Sequence, residues 1–188
     1  MIFFSIMETE KAILGRRAVR DYQDNAVPDA VIKEILKAGA MAPSAMDAQP
    51  CHFIVITDRA KIRELSDKVK DNAGALGLGA KLVERMKLKE DVIFYGAPLL
   101  ILIVADMKRD WSIIDCSLAA QNMMLRAYDL GLGSCFIGFA AMLKDDRETL
   151  SSLGVKDSQM AFCPLVFGYP TEWPEPKVRE AKVQKTIS

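Results

Sequence analysis

The chain has 188 residues, 51% of them hydrophobic, and its 25 Lys+Arg balance 25 Asp+Glu. That length and apolar content support one domain, residues 1–188, with a substantial core, while zero net charge excludes a global field that would recruit nucleic acid or an anionic membrane. Cys51, Cys116, Cys135 and Cys163 form no C-x-x-C pair and His52 is the only histidine, which argues against a disulfide scaffold or a zinc site and for a reduced, cytoplasmic protein with buried thiols.

The opening MIFFSIM is apolar but has no basic lead, and Glu8 and Glu10 follow it, so it does not read as a signal peptide. TEKAILG predicts a short helix with Thr9 as N-cap and Gly15 as its stop. Then comes GRRAVRDYQD, in which three arginines fall within five residues. An isolated pair would read as a solvated basic face. If the helix continues, however, Arg16 and Arg20 share a face while Arg17 points elsewhere, and two guanidiniums there suit a phosphate or another anion.

In VPDAVIKEILKAGAMAP, Pro28 suits a helix opening, Val31, Ile32, Ile35 and Leu36 make the apolar stripe, and Pro43 terminates it. APSAMDAQP follows as a loop whose Ser44, Asp47 and Gln49 are either turn formers or a polar rim for a planar ligand. HFIVIT reads as a strand, in which His52 is expected to pack or to bond the backbone, and DRAKIRELSDKVK as a helix. Gly74, Gly77 and Gly79 interrupt the pattern before AKLVERMKLKE, and residues 66–95 read as a variable cover segment.

APLLILIVA is too short for a membrane helix, which needs about 20 residues, and reads as a buried strand in a soluble protein. WSIIDCSLAAQNMMLRAYDLG predicts about five helical turns ending at Gly131. Its first half is apolar nearly all round, which places it in a core or between subunits. GLGSCFIGF matches neither G-x-G-x-x-G nor the Walker pattern, so Gly138 is either a strand glycine or a place where a flat cofactor comes close. DDRETLSSLG reads as a helix capped by Asp145 or Asp146, and MAFCPLVFGY as a strand. The Pro-broken arm from 170 to 188 has no core of its own, and Trp173 is expected to dock on a partner subunit.

RRAVRDY, APSAMDAQP, YGAPLLILIVAD, LGLGSCFIGF and FGYPTEWPEPKVR, in that order along almost the whole chain, resemble the FMN-dependent nitroreductase family. The resemblance implies an α+β sandwich around a mainly antiparallel central sheet flanked by helices. It further implies an intertwined homodimer with an exchanged C-terminal arm, two FMN sites at the interface and no obligatory catalytic side chain.

By matching positions, Arg16 and Arg20 would hold the flavin phosphate and the polar edge of its ring, Arg17 would add backbone or ribityl contacts, and Arg179 would be a C-terminal phosphate ligand. Ser44, Ala45 and Asp47 would reach the flavin from the other subunit, and Ile137 and Gly138 would lie near the reactive nitrogen. The family usually has serine at Ala18 and asparagine at Asp47. A carboxylate at 47 disfavours an anionic reduced flavin and cannot donate as an amide does. The implied activity is ping-pong hydride transfer from NADH or NADPH through FMN to a small-molecule acceptor such as a nitroaromatic or quinone. Reductive dehalogenation, flavin breakdown or a non-catalytic flavin sensor are the alternatives.

Overall fold

The computed structural model describes residues 8–75, 84 and 91–187. Its centre is the strand β2, Leu99–Asp106, buried along all but its last residue. Leu100, Leu102 and Val104 enter one apolar cluster, and Leu99, Ile101, Ile103 and Ala105 the other. Side chains alternate across a strand, so a run without polar interruption needs a cover on both faces.

Two helical layers supply it. Beneath one face lies α3, Arg59–Ala75, whose Ile62, Leu65, Val69 and Ala73 join the first cluster. Over the other lie α2, Asp29–Ala40, through Val31, Ile32 and Ile35, and α4, Ser112–Asp129, through Cys116, Ala119, Ala120, Met123 and Ala127. Truncating any one of the fully buried leucines or isoleucines to alanine would cost about 2–5 kcal/mol.

β1 (His52–Ile56), β2, β4 (Gln159–Gly168) and β3 (Gly133–Phe136) lie in the order β1-β2-β4-β3, every pair antiparallel. The register shifts between Ile103 and Val104 opposite Cys163 and Ala161, and Pro164 is accommodated beside that bulge. β1 and β3 are the two edges. Three inter-strand steps of about 4.8 Å put them roughly 14 Å apart. Among the described residues no helix is long and apolar enough to cross a membrane.

The expected elements form, with several different endings. α1 is Thr9–Gly15, but its cap is Glu8 without a side-chain hydrogen bond, so Thr9 is the first helical residue and not the N-cap. Gly15 is required by contact, because a Cβ there would fall 2.3 Å from Tyr128 Oη. α4 does stop through Gly131 in the left-handed region at φ 78°, with Leu132 N–H donating back to Ala127. α5, Arg147–Ser152, is capped by Asp146, which accepts from the Thr149 backbone at 3.0 Å and from its hydroxyl at 2.6 Å. His52 is exposed at the start of β1, so the expected packing role does not hold. Much of the 66–95 cover segment lies outside the described residues.

α4 is buried along only one face. Trp111, Ile114 and Leu118 leave the other face apolar and 57%, 47% and 41% exposed. The arm is extended and exposed from 171 to 187, yet Trp173 is not without a local partner: its ring meets Tyr128 edge-on at 5.0 Å.

Gly133 decides how the N-terminal segment joins the sheet. Val19 N–H donates to Ser134 O at 3.0 Å, and a Cβ on Gly133 would lie 2.5 Å from Val19 Cγ2. Gly133→Ala is expected to lower stability by about 1–3 kcal/mol in urea unfolding. Adding Val19→Ala should recover part of that loss, so the double variant should not be the sum of the singles.

Candidate functional site

The arginine segment is extended, not a continuation of α1. It runs along the β3 edge, joined by a parallel bridge between Ala18 and Ser134. Helical spacing is therefore the wrong reason for Arg16 and Arg20 to share a side; the two-residue alternation of an extended chain puts residues 16, 18 and 20 together. Tyr22 pins the far end, buried with its hydroxyl donating to Val19 O at 2.8 Å.

Arg17 does not point away from the group. Its Nη1 donates to Arg16 O at 2.7 Å, Nη2 reaches Lys177 O at 3.5 Å, and Nε is buried with no partner. Burial holds the Arg16 guanidinium below its ordinary pKa, with Arg17 and then Arg179 repelling it further. Among the described residues, none of Arg16, Arg17, Arg20 and Arg179 forms an ion pair with a carboxylate. Planar guanidiniums gathered without a counter-charge have the charge and geometry that suit phosphate oxygens.

Beside the cluster, Arg20, Tyr95, Phe136, Ile137, Gly138 and Phe139 line a cavity of about 490 Å³. A Cβ built on Gly138 meets nothing within 4 Å, so the backbone there faces open space. Arg20 also borders a second cavity of about 450 Å³ with Ala18, Thr171 and Trp173. Cys135 lies beneath: burial raises its thiol pKa, against the pull of Arg20 and Arg16.

Tyr95 reaches the rim because Asp91 accepts from Phe94 N–H at 2.8 Å and Gly96 N–H at 3.0 Å, which turns Tyr95 and Gly96 through φ 59° and 66°. Sequence reasoning missed Tyr95, Phe136 and Phe139. The acidic residue ahead of the Phe-Tyr-Gly run was the available sign.

Ser44, Ala45 and Asp47 do not join this group within one chain. They precede β1, at the edge of the sheet opposite β3. Their loop is stiff: Ser44 Oγ accepts from Gln49 N–H at 2.9 Å, Ala45 N–H donates to Asp115 at 3.0 Å, and Gln49 Nε2 donates to Asp47 at 3.2 Å. Met46, Asp47 and Gln49 all have positive φ, of 56°, 52° and 46°. Aspartate and asparagine tolerate that region better than most residues, so Asp47 fits the backbone whatever its charge does. Among the described residues no cluster of His, Cys, Asp and Glu is placed to hold a metal ion.

The family model for the Nitroreductase family matches residues 13–169. This chain belongs to the nitroreductase family, whose flavin oxidoreductase class its fold shares. A crystal structure of a nitroreductase with bound FMN from Bacteroides fragilis is 32% identical and superposes with a TM-score of 0.83 over 97% of this chain and 100% of that one. A protein of Methanothermobacter thermautotrophicus named provisionally as an NADH dehydrogenase/NAD(P)H nitroreductase is 33% identical over 90% of this chain and 81% of its own length. A 4-nitrobenzoate reductase of Nocardioides is 27% identical, covering 84% and 78%.

The unpaired cluster carries a stability cost in the ligand-free protein. Arg16→Gln is expected to raise its unfolding free energy in urea slightly, by no more than about 1 kcal/mol for a charge that is only partly buried, and added salt should shrink the gain. Equilibrium unfolding of ligand-stripped protein at two salt concentrations checks both.

Proposed function

We propose that the chain is a cytoplasmic NAD(P)H-dependent FMN oxidoreductase, active as a homodimer, that reduces electron-poor small molecules such as nitroaromatics or quinones. The observation that carries this reading is the set of unpaired guanidiniums, Arg16, Arg17 and Arg179, beside an aromatic-rimmed cavity on which Arg20 opens. The fit is chemical. Arg17 Nε is a buried donor with nothing to bond, which a phosphate oxygen would satisfy, and the space over Gly138 admits a flat ring.

FMN, when bound, would supply the hydride-transfer chemistry for a ping-pong reaction between a reduced nicotinamide and the acceptor. The chain's own residues bind and orient. Arg16, Arg17 and Arg179 would grip the phosphate, worth roughly 1.5–3 kcal/mol for each charge-assisted hydrogen bond. Arg20 would put positive charge where negative charge develops on reduction, and Ile137 and Gly138 would form the wall beside the reacting position. Tyr95, Phe136 and Phe139 would exclude water.

Ser44, Ala45 and Asp47 would complete the site from the partner subunit, which their position at the far edge of the sheet favours. The apolar stripe of Trp111, Ile114 and Leu118 and the exposed Val178 and Val183 of the arm favour the same dimer.

The purified protein should release FMN on denaturation and consume NADH or NADPH when a nitroaromatic or quinone is added. Chromatography of the released cofactor and anaerobic spectra with each nicotinamide decide it. FAD alone, or bound flavin that neither nicotinamide reduces, defeats the reading.

Truncation after Pro170 removes Arg179 and the exposed arm together. Sedimentation and flavin content should show a fall in dimer stability and at least a tenfold loss of FMN affinity, the equivalent of about 1.4 kcal/mol. A truncated protein that stays dimeric and fully loaded refutes the arm's role.

A further inference from the structure

Cys51 and Cys116 are 65 residues apart in sequence, yet their sulfurs stand 3.8 Å apart in a thiol–thiol hydrogen bond. Cys51 is half-buried where Pro50 hands the chain to β1, and Cys116 is buried on the core face of α4. They were expected to be separate buried thiols. The fold makes them a pair.

Cys51 also lines a cavity of about 130 Å³ with Ser44, Gln49, Pro50 and Asp115. A water molecule takes about 30 Å³ of liquid, so the cavity that Cys51 lines has room for a small hydroperoxide. Arg109 lies over the same corner, bonded to the buried Asp115 at 3.2 Å, and its Nε is buried without a partner.

The Cys116 hydrogen bond holds the Cys51 thiol below its ordinary pKa, with Arg109 helping and burial and Asp115 opposing. That same contact, together with burial, pushes Cys116 up. The two sulfurs are therefore unequal. The more accessible one is also the readier thiolate, and the thiolate is the nucleophile.

We propose that Cys51 and Cys116 form a reversible dithiol site that reacts with hydroperoxides, Cys51 as the attacking thiol and Cys116 as the resolving one. Cys51 sulfur bonds to the distal peroxide oxygen, the O–O bond breaks, and water leaves, or an alcohol from an organic hydroperoxide, with Cys51 as sulfenic acid. Cys116 sulfur then bonds to Cys51 sulfur, the S–O bond breaks, and a second molecule of water leaves. With hydrogen peroxide, two thiols yield two electrons and two protons and the oxidant becomes two waters. An external thiol reverses the bond by exchange.

Closing the sulfurs from 3.8 Å to a bond of about 2.05 Å asks for a small movement, and Cys51 lies just before the first paired residue of the ladder, His52. Cys163 is the nearest competitor, but burial pushes its thiol up to about 11 and it faces Ser117. Cys135 lies on the opposite edge strand. The cavity shares Ser44 with the loop proposed above to reach the partner's flavin, so the dithiol stands beside that site while its two sulfurs belong to one chain.

The test treats the reduced, desalted full-length protein with hydrogen peroxide and follows its intact mass under denaturing, non-reducing conditions. The expected product has lost two hydrogen atoms, regains them with dithiothreitol, and gives one cross-linked peptide joining Cys51 to Cys116 within a single chain. Cys116→Ser should instead leave a sulfenic acid at Cys51 that dimedone captures. Cys51→Ser should slow the first oxidation of the remaining thiols by about tenfold or more. Cys163→Ala should still form the bond. A cross-link to Cys135 or Cys163, a bond between chains, or oxidation of Cys51 to higher acids with Cys116 still free overturns the proposal. The peptide map of the parent protein decides the matter even where a variant does not fold.

Discussion

The structure depends on β2 having no solvent face. Leu99 to Ala105 place alternate side chains in two separate apolar clusters, so the sheet cannot lie at the surface and helices must close over both sides. Once β2 and β4 fill the middle of a four-stranded sheet, the edges are the only parts of it open to the rest of the chain. Both candidate binding segments are found there: the arginine segment along β3 and the Ser44 to Asp47 loop ahead of β1. A thick, closed centre thus keeps the two candidate segments at opposite edges of one chain.

Electrostatics then sets the character of the β3 edge. Nothing about packing asks for Arg16, Arg17 and Arg179 to be neighbours, and their mutual repulsion opposes it. What holds Arg16 and Arg17 in place is the backbone: the Ala18 bridge, the Val19 hydrogen bond over Gly133 and the Tyr22 clamp, while the arm that carries Arg179 meets them through Lys177 O and Arg17. The packed sheet thus supplies the rigidity that keeps like charges close together against their repulsion.

Strands and helices were legible because their patterns are local. The apolar run of β2, the stripe of α2 and the acids before α5 each announce themselves within a few residues, and Gly131 stops α4 as its type predicts. The arginine segment's spacing of four is compatible with both periods, and the contact that decides between them, Val19 against Gly133, spans the chain. Trp173 finding Tyr128, and Cys51 finding Cys116, are likewise matters of tertiary approach that no window of sequence contains. The family resemblance supplied the pairing of distant arginines, which composition alone could not.

The path of the loop between α2 and β1 limits how that loop can drift over generations. Met46, Asp47 and Gln49 all occupy backbone angles that cost an ordinary residue on the order of 1–2 kcal/mol, and Met46 does so while 93% exposed. Replacement there is filtered by conformation before it is filtered by chemistry. Asparagine, aspartate and glycine pass easily, while valine, isoleucine and threonine carry a second handicap from their branched Cβ. The loop should therefore diverge more slowly than its exposure suggests, with branched residues kept out by the path of the chain itself.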